Sequence, residues 1–323
     1  MTPVSLIRNA CAVLALVSAT QAAAQSWPAK PIHLISPWTP AGPAELLARL
    51  VGTKVQESLG QPVVIESRPG ANGTIGSQYV AKSAPDGSTI LFSHVGPVAI
   101  SPAVVDKMPY DSVKDFEPIT QVAAGALIFL VRNGLPARNV GELIAYAKAN
   151  AGKVSCGSVG PASTSHLACE QLNMLGGVST IHVPYKGSAP VVTDMIGGSI
   201  DISFLNIAGV MPQLKANQVR GIAVTTLKRS AVVADLPAMH EILPGFEVNS
   251  WYGMMAPAGT PKAIVNTLQQ AVARALKAPD VAEKLAQLGL DGVGSTPEEH
   301  AAQIKSDLER WAKIARAAKL KIN

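Results

Sequence analysis

The feature that most constrains this chain is a local pattern that recurs. A short apolar run is followed by a turn of small or rigid residues and then by an amphipathic helix. It occurs at residues 32–35 before Ser36-Pro37-Trp38-Thr39-Pro40-Ala41-Gly42-Pro43, and at residues 63–65 before Arg68-Pro69-Gly70-Ala71-Asn72-Gly73. It returns where Gly157-Ser158-Val159-Gly160-Pro161-Ala162-Ser163-Thr164-Ser165-His166 runs into a helix. Short apolar strands alternating with helices predict a parallel sheet covered on both faces. Ligands of such sheets bind at the carboxyl ends of the strands. That rule places Trp38, Thr39, Pro40, Ala41 and Gly42 at one rim, with Ser93 and His94 at the end of a strand expected over residues 89–93.

The third turn carries the chemistry. Ala168, Leu172 and Leu175 fall at i, i+4 and i+7 and make one apolar helical stripe. The start of that helix has N–H groups without a partner inside it and about half a positive charge from the peptide dipoles. Four hydroxyls, on Ser158, Ser163, Thr164 and Ser165, stand around it. One or two would make an ordinary cap. Four, with Gly157 and Gly160, favour a site that holds an anion without a formal cation. His166, on the first turn, reads as a packed or hydrogen-bonded residue and not as a base.

Residues 1–24 read as a secretory signal peptide. Arg8 is the charged start, residues 10–19 are a short apolar core, and Ala22-Ala23-Ala24 is a cleavage site. A run that short cannot span a bilayer, so the mature chain is expected to be a soluble periplasmic protein. Hydrophobic residues make up 48% and charged residues 15%, which excludes a disordered chain. The net charge is +5 without a dense basic run, so no nucleic-acid partner is expected. Cys156 and Cys169 could pair in an oxidising compartment; two buried thiols is the preferred reading. The six histidines are scattered singly, and neither a metal nor a cofactor is expected.

Further along, residues 106–121 read as irregular, and a strand at 126–131 marks the crossing into a second domain. A helix is expected at 140–150 and a strand at 181–183 before Tyr185-Lys186-Gly187. Next come a helix at 189–196, an alternating strand at 200–204 with Asn206 just beyond it, and a short helix at 208–214. A strand is read at 221–225, a loop-rich stretch at 236–246 and a return strand at 248–256. The C-terminal part is helical, with the stripes Ile264, Leu268, Val272 and Val281, Leu285, Leu288. Thr296-Pro297-Glu298-Glu299 is a capping box before a helix that buries Ile304, Leu308 and Trp311.

A series of short motifs then falls into a family's order. They are Trp27-Pro28-Ala29-Lys30-Pro31-Ile32, Gly60-Gln61-Pro62-Val63-Val64, Arg68-Pro69-Gly70-Ala71, Pro85-Asp86-Gly87, and Pro109-Tyr110-Asp111 with Asp115-Phe116. Gly157-Ser158-Val159-Gly160 with His166-Leu167-Ala168, Val183-Pro184-Tyr185-Lys186-Gly187, and Trp251-Tyr252-Gly253 with Ala256-Pro257-Ala258-Gly259-Thr260-Pro261 follow. In this order they resemble the periplasmic solute-binding proteins of tripartite tricarboxylate transporters, the Bug group, over nearly all of residues 27–311.

The resemblance implies a two-lobed α/β clamshell of the type II kind, each lobe a mixed sheet flanked by helices, with a hinge of two crossing strands. Lobe 1 would be residues 25–124 and 249–323, and lobe 2 residues 125–248. It implies a small carboxylate held by backbone amides, hydroxyls and water, no catalysis, a monomer, and membrane transporter subunits as partners. Carried over, the first-lobe site is Trp38 to Pro43. The second-lobe site is Ser158 to His166 with Tyr185, Lys186 and Gly187. Departures bear on the ligand more than on the fold. The family usually has two glycines at Ala41-Gly42, Asp at Glu45, Asn at Ser67, Gly at Ala162 and Asp at Leu205. Without that Asp, a ligand bearing an amino group is disfavoured. Trp38 stays open between aromatic wall and core edge, and Lys186 between carboxylate partner and solvated charge. A sensory adaptor for a receptor kinase would use the same cleft. A serine hydrolase is the reading from another class, and no Gly-x-Ser-x-Gly surrounds Ser158.

Overall fold

The computed structural model describes residues 27–38 and 43–321. The proposed signal peptide, and Thr39, Pro40, Ala41 and Gly42 of the first-lobe site, lie outside the described residues.

The elements run β1 (Ile32–Ser36), α1 (Pro43–Leu59), β2 (Val63–Ser67), α2 (Thr74–Ala81), β3 (Thr89–His94) and α3 (Ser101–Val104). Then come β4 (Phe116–Arg132), α4 (Val140–Ala149), β5 (Val154–Ser158), α5 (Thr164–Gly176), β6 (Thr180–Pro184), α6 (Ser188–Ile196), β7 (Ile202–Asn206), α7 (Ile207–Lys215) and β8 (Val219–Val224). The chain ends with α8 (Met239–Ile242), β9 (Asn249–Pro257), α9 (Lys262–Leu276), α10 (Pro279–Gln287), β10 (Asp291–Gly292) and α11 (Pro297–Ala317). No helix among the described residues is long and apolar enough to cross a membrane.

The strand order is β2-β1-β3-β9-β4-β7-β5-β6, with β8 and β10 also paired to β4. Strands β2, β1 and β3 are parallel, and so are β6, β5 and β7. Between these sets lie β9 and β4, both antiparallel to their neighbours. The expected parallel sheet is therefore mixed, each parallel set bordered by crossing strands. The fold is the two-lobed α/β architecture. Strand β4 joins its halves: Phe116 to Ala126 pair with β9, while Leu127 to Arg132 pair with β7 and β8.

β4 begins ten residues before the strand expected there. Glu117, Pro118, Thr120 and Gln121 hide its period, and the register shifts between Pro118 and Thr120 and again between Gln121 and Ala123. Bulges tolerate Pro and break the alternation that reveals a strand. Its later part is a continuous apolar run because both faces are covered. Ile128 and Leu130 enter one cluster with Val191, Met195 and Leu205. Phe129 turns the other way and stacks on Phe204 at 4.2 Å. The same alternation sends Leu34 and Ile90 toward Leu47, Val51 and Leu268, and Ile35 and Leu91 toward Trp251 and Trp311.

The capping box forms: Thr296 Oγ1 accepts the Glu299 N–H at 3.2 Å, and Glu299 Oε2 accepts the Thr296 N–H at 2.8 Å. The helix it starts, α11, packs against β4, α3 and α5. The cysteines correct the preferred reading. Cys156 in β5 and Cys169 in α5 are joined by a disulfide, with their Cα atoms 6.3 Å apart. Burial of both sulfurs is what two thiols would also show; the facing of β5 and α5 brings them within bonding reach.

Candidate binding site

A cavity of about 410 Å³ opens where the carboxyl ends of the strands meet the following helices. Its polar end is built on the first turn of α5. Ser163 is the N-cap: its backbone is extended and its Oγ accepts the His166 N–H at 3.2 Å. That hydroxyl donates to the Gly160 carbonyl at 2.6 Å. Ser165 Oγ accepts the Val159 N–H at 2.9 Å and stands 3.0 Å from Ser163 Oγ. The cap thus uses the third N–H of the helix. Those of Thr164 and Ser165 precede any intrahelical partner. Ser163, Thr164 and Ser165 all line the cavity.

Three further helices start at its wall. Ala44 of α1, Gly187 and Ser188 at α6, and Asn206 before α7 are all lining residues. Each helix start adds a partial positive charge. Among the described lining residues there is no Asp, Glu, Lys or Arg. The one titratable imidazole, His94, is kept neutral: burial pushes it down to about 4. Its Nδ1 accepts the Gly96 N–H at 3.1 Å, which puts the proton on Nε2, 3.0 Å from Ser250 Oγ. Ser250 then has its own hydrogen to give to the cavity. Trp38 meets His94 edge-on at 5.6 Å, and Tyr252 lies 5.0 Å from the same ring. Trp38 lines the cavity and also packs against the core.

Of the described residues expected at the site, Trp38, His94, Ser163, Thr164, Ser165, Gly187 and Asn206 line this cavity. Ser93, Ser158, Gly160, His166, Tyr185 and Lys186 do not. Ser93 is fully buried on the strand face opposite His94. Ser158 is also fully buried; its Oγ lies 2.6 Å from His182 Nε2 and holds both the N–H and the carbonyl of Gly160. Gly160 offers its polar groups to serines of the turn and not to the cavity. His166 accepts the Ala162 N–H at Nδ1 and stacks on His182 with centroids 3.6 Å apart. Tyr185 spends its hydroxyl on Asp194 at 2.5 Å, and burial with that carboxylate pushes the phenol up to about 12. Ser158, Gly160, His166 and Tyr185 thus brace the turn or its neighbours, while Lys186 is exposed.

Other lining residues are not among those expected at the site, although Leu205 stands out as a departure from the family's pattern. Leu127, Phe204, Leu205, Ser250 and Tyr252 reach the cavity from β4, β7 and β9. Asn72 arrives on a left-handed turn, φ +51°. Ala162, where the resemblance expects Gly, has φ +55°. A residue with a Cβ is strained in that left-handed backbone. Among the described residues no group of three His, Cys, Asp or Glu could hold a metal.

Among the described residues two serine hydroxyls lie within hydrogen-bond reach of an imidazole nitrogen: Ser250 at His94, whose Nε2 already carries the proton and cannot act as a base, and Ser158 at His182. Burial, then the charge of nearby His166, pushes His182 down to about 4. Ser158 is sealed from the cavity and already engaged, so no substrate carbonyl reaches it.

Residues 47–320 match the family described as tripartite tricarboxylate transporter family receptor. The protein BugT of Bordetella pertussis is 34% identical over 307 residues, 94% of each chain. A solved structure titled Rpa4515 of R. palustris with adipate is 34% identical and superposes with a TM-score of 0.79, covering 92% of this chain and 99% of its own. Another, MatC of Rhodopseudomonas palustris with bound malate, is 31% identical with a TM-score of 0.76, covering 89% of this chain and 99% of its own.

Proposed function

The chain belongs to the tripartite tricarboxylate transporter receptor family, whose solved neighbours are periplasmic binding proteins; from that premise we propose that it captures a small organic carboxylate and delivers it to a tripartite tricarboxylate-type membrane transporter. One observation carries this reading. The cavity holds no charged side chain among its described residues, yet the starts of four helices stand at its wall. Such a site attracts an anion through peptide dipoles and N–H donors. Relatives of similar fold carry adipate and malate, which supports a carboxylate as that anion.

The lobes would be residues 25–124 with 249–323, and 125–248, hinged on β4 and β9. Closing them around the ligand excludes water and strengthens each polar contact. It also creates the surface that a membrane partner reads. No step of this cycle needs a nucleophile.

The test is a thermal-shift screen of the purified protein against small carboxylates. A ligand at one hundred times its Kd stabilises by about 2.7 kcal/mol, a rise of a few degrees. A shift confined to one chemical class is expected. Folded protein that no carboxylate stabilises would contradict the reading. Uptake of the identified ligand should then fail in cells lacking this protein; intact uptake with lost gene induction would point to a sensor kinase as the partner.

A further inference from the structure

We propose, resting on the carboxylate reading above, that the ligand is a carboxylate with an apolar body and no amino group, and that the cavity rejects amino acids. The argument is one of charge. An α-ammonium sits one carbon from its carboxylate. When the carboxylate docks on the N–H groups of Thr164 and Ser165, the ammonium is carried to the same end of the cavity. There it meets helix starts, which carry positive potential.

Nothing on the wall answers it. None of the described lining residues is an acid, and the sequence of residues 39–42, Thr-Pro-Ala-Gly, holds none either. Glu45 follows the lining residue Ala44, but it is 2% exposed and its carboxylate is bonded to Arg49 at 2.9 Å. Asp194 is taken by Tyr185. Neutral acceptors such as Asn72 and Asn206 offer a hydrogen bond without the counter-charge that a desolvated ammonium requires.

The wall instead suits carbon. Leu127, Phe204 and Leu205 are 2%, 0% and 1% exposed, and they line the cavity from the paired antiparallel strands β4 and β7. Trp38 and Tyr252 line it as well, from the turn after β1 and from β9 respectively. A chain or ring held among these side chains loses only its hydration. Leu205 is the residue that decides, because an acid at this lining position would supply the missing counter-charge.

The test is calorimetric titration of the purified protein with matched pairs: hexanoate against 2-aminohexanoate for a chain, and phenylacetate against phenylalanine for a ring. We expect at least one amino-free acid to bind and its amino partner to bind about 100-fold more weakly or worse. The arm that binds identifies the body as chain or ring. Leu205→Asp should close that gap by tenfold or more, with Leu205→Asn, which adds polarity without charge, leaving it open. An amino acid that binds the unaltered protein as tightly as its partner overturns this proposal and leaves the carboxylate reading standing. Failure of every carboxylate in the wider thermal-shift screen overturns both.

Discussion

The N–H of Ala162 donates to Nδ1 of His166 across 3.3 Å. A turn residue in left-handed backbone is thereby pinned by the helix that the turn introduces. The same imidazole stacks on His182, which touches Ser158 at the far end of the turn. The loop that offers N–H groups to the cavity is thus held from behind at both ends.

Ala162 pays for its φ of +55° with a Cβ that crowds its own carbonyl. Ala162→Gly removes that clash, and the N–H bond to His166 does not depend on the side chain. The variant should be more stable by about 0.5–1 kcal/mol, the excess of steric relief over glycine's greater chain entropy. Urea unfolding midpoints of the two proteins measure it. A less stable glycine variant would show that the turn gains more from the buried methyl than it loses to strain.

The disulfide closes a short loop that contains the whole site turn, since Cys156 lies just before it and Cys169 in the helix after it. Opening a loop of this size costs about 3 kcal/mol. The double variant Cys156→Ala with Cys169→Ala should unfold at lower urea by that amount, and wild-type protein in reductant should follow it. Identical midpoints with and without reductant would contradict the role given to the bond.

His300, in α11, is fully buried with both ring nitrogens unpartnered, and burial pushes it down to about 3. It is neutral in the fold while the unfolded chain takes up a proton near 6.5. Stability from this residue is therefore present above pH 6.5 and lost as the pH falls toward 3. Between pH 6.5 and 4 the loss is roughly 3 kcal/mol. His300→Leu should flatten the acid limb of a plot of unfolding free energy against pH. An unchanged limb would mean that the imidazole does not stay neutral.

Much of the fold was legible because period and punctuation agree along the chain. The turn at Ser163-Thr164-Ser165, the capping box at Thr296 and the stripes of α9 and α10 all announce themselves locally. The facing of single strand-end residues does not. Ser158 and Ser93 sit where a shift of one residue exchanges sheet faces, so a hydroxyl at a strand end can look toward the ligand or away from it. Tyr252 and Ser250 enter the cavity through a strand paired with partners some 130–160 residues away. Their one signal was position: they flank the buried Trp251 in alternation on a strand expected to return between the lobes. The cysteines resisted for a related reason, because only the packing of α5 on β5 separates a bond from two buried thiols.

The measurement that tests the central claim most directly is ligand affinity in two variants of Thr164, the first residue of α5. Thr164→Ala removes the hydroxyl alone. Thr164→Pro also removes the backbone N–H, at a helix position where proline is tolerated and after a residue, Ser163, already extended at ψ 161°. A hydrogen bond to a charged group is worth about 1.5–3 kcal/mol. Calorimetric titration should therefore show the proline variant binding its carboxylate roughly 10- to 100-fold more weakly than the alanine variant, with both equally folded. Equal affinity in the two would show that the start of α5 does not hold the anion, and the account of this cavity would fail.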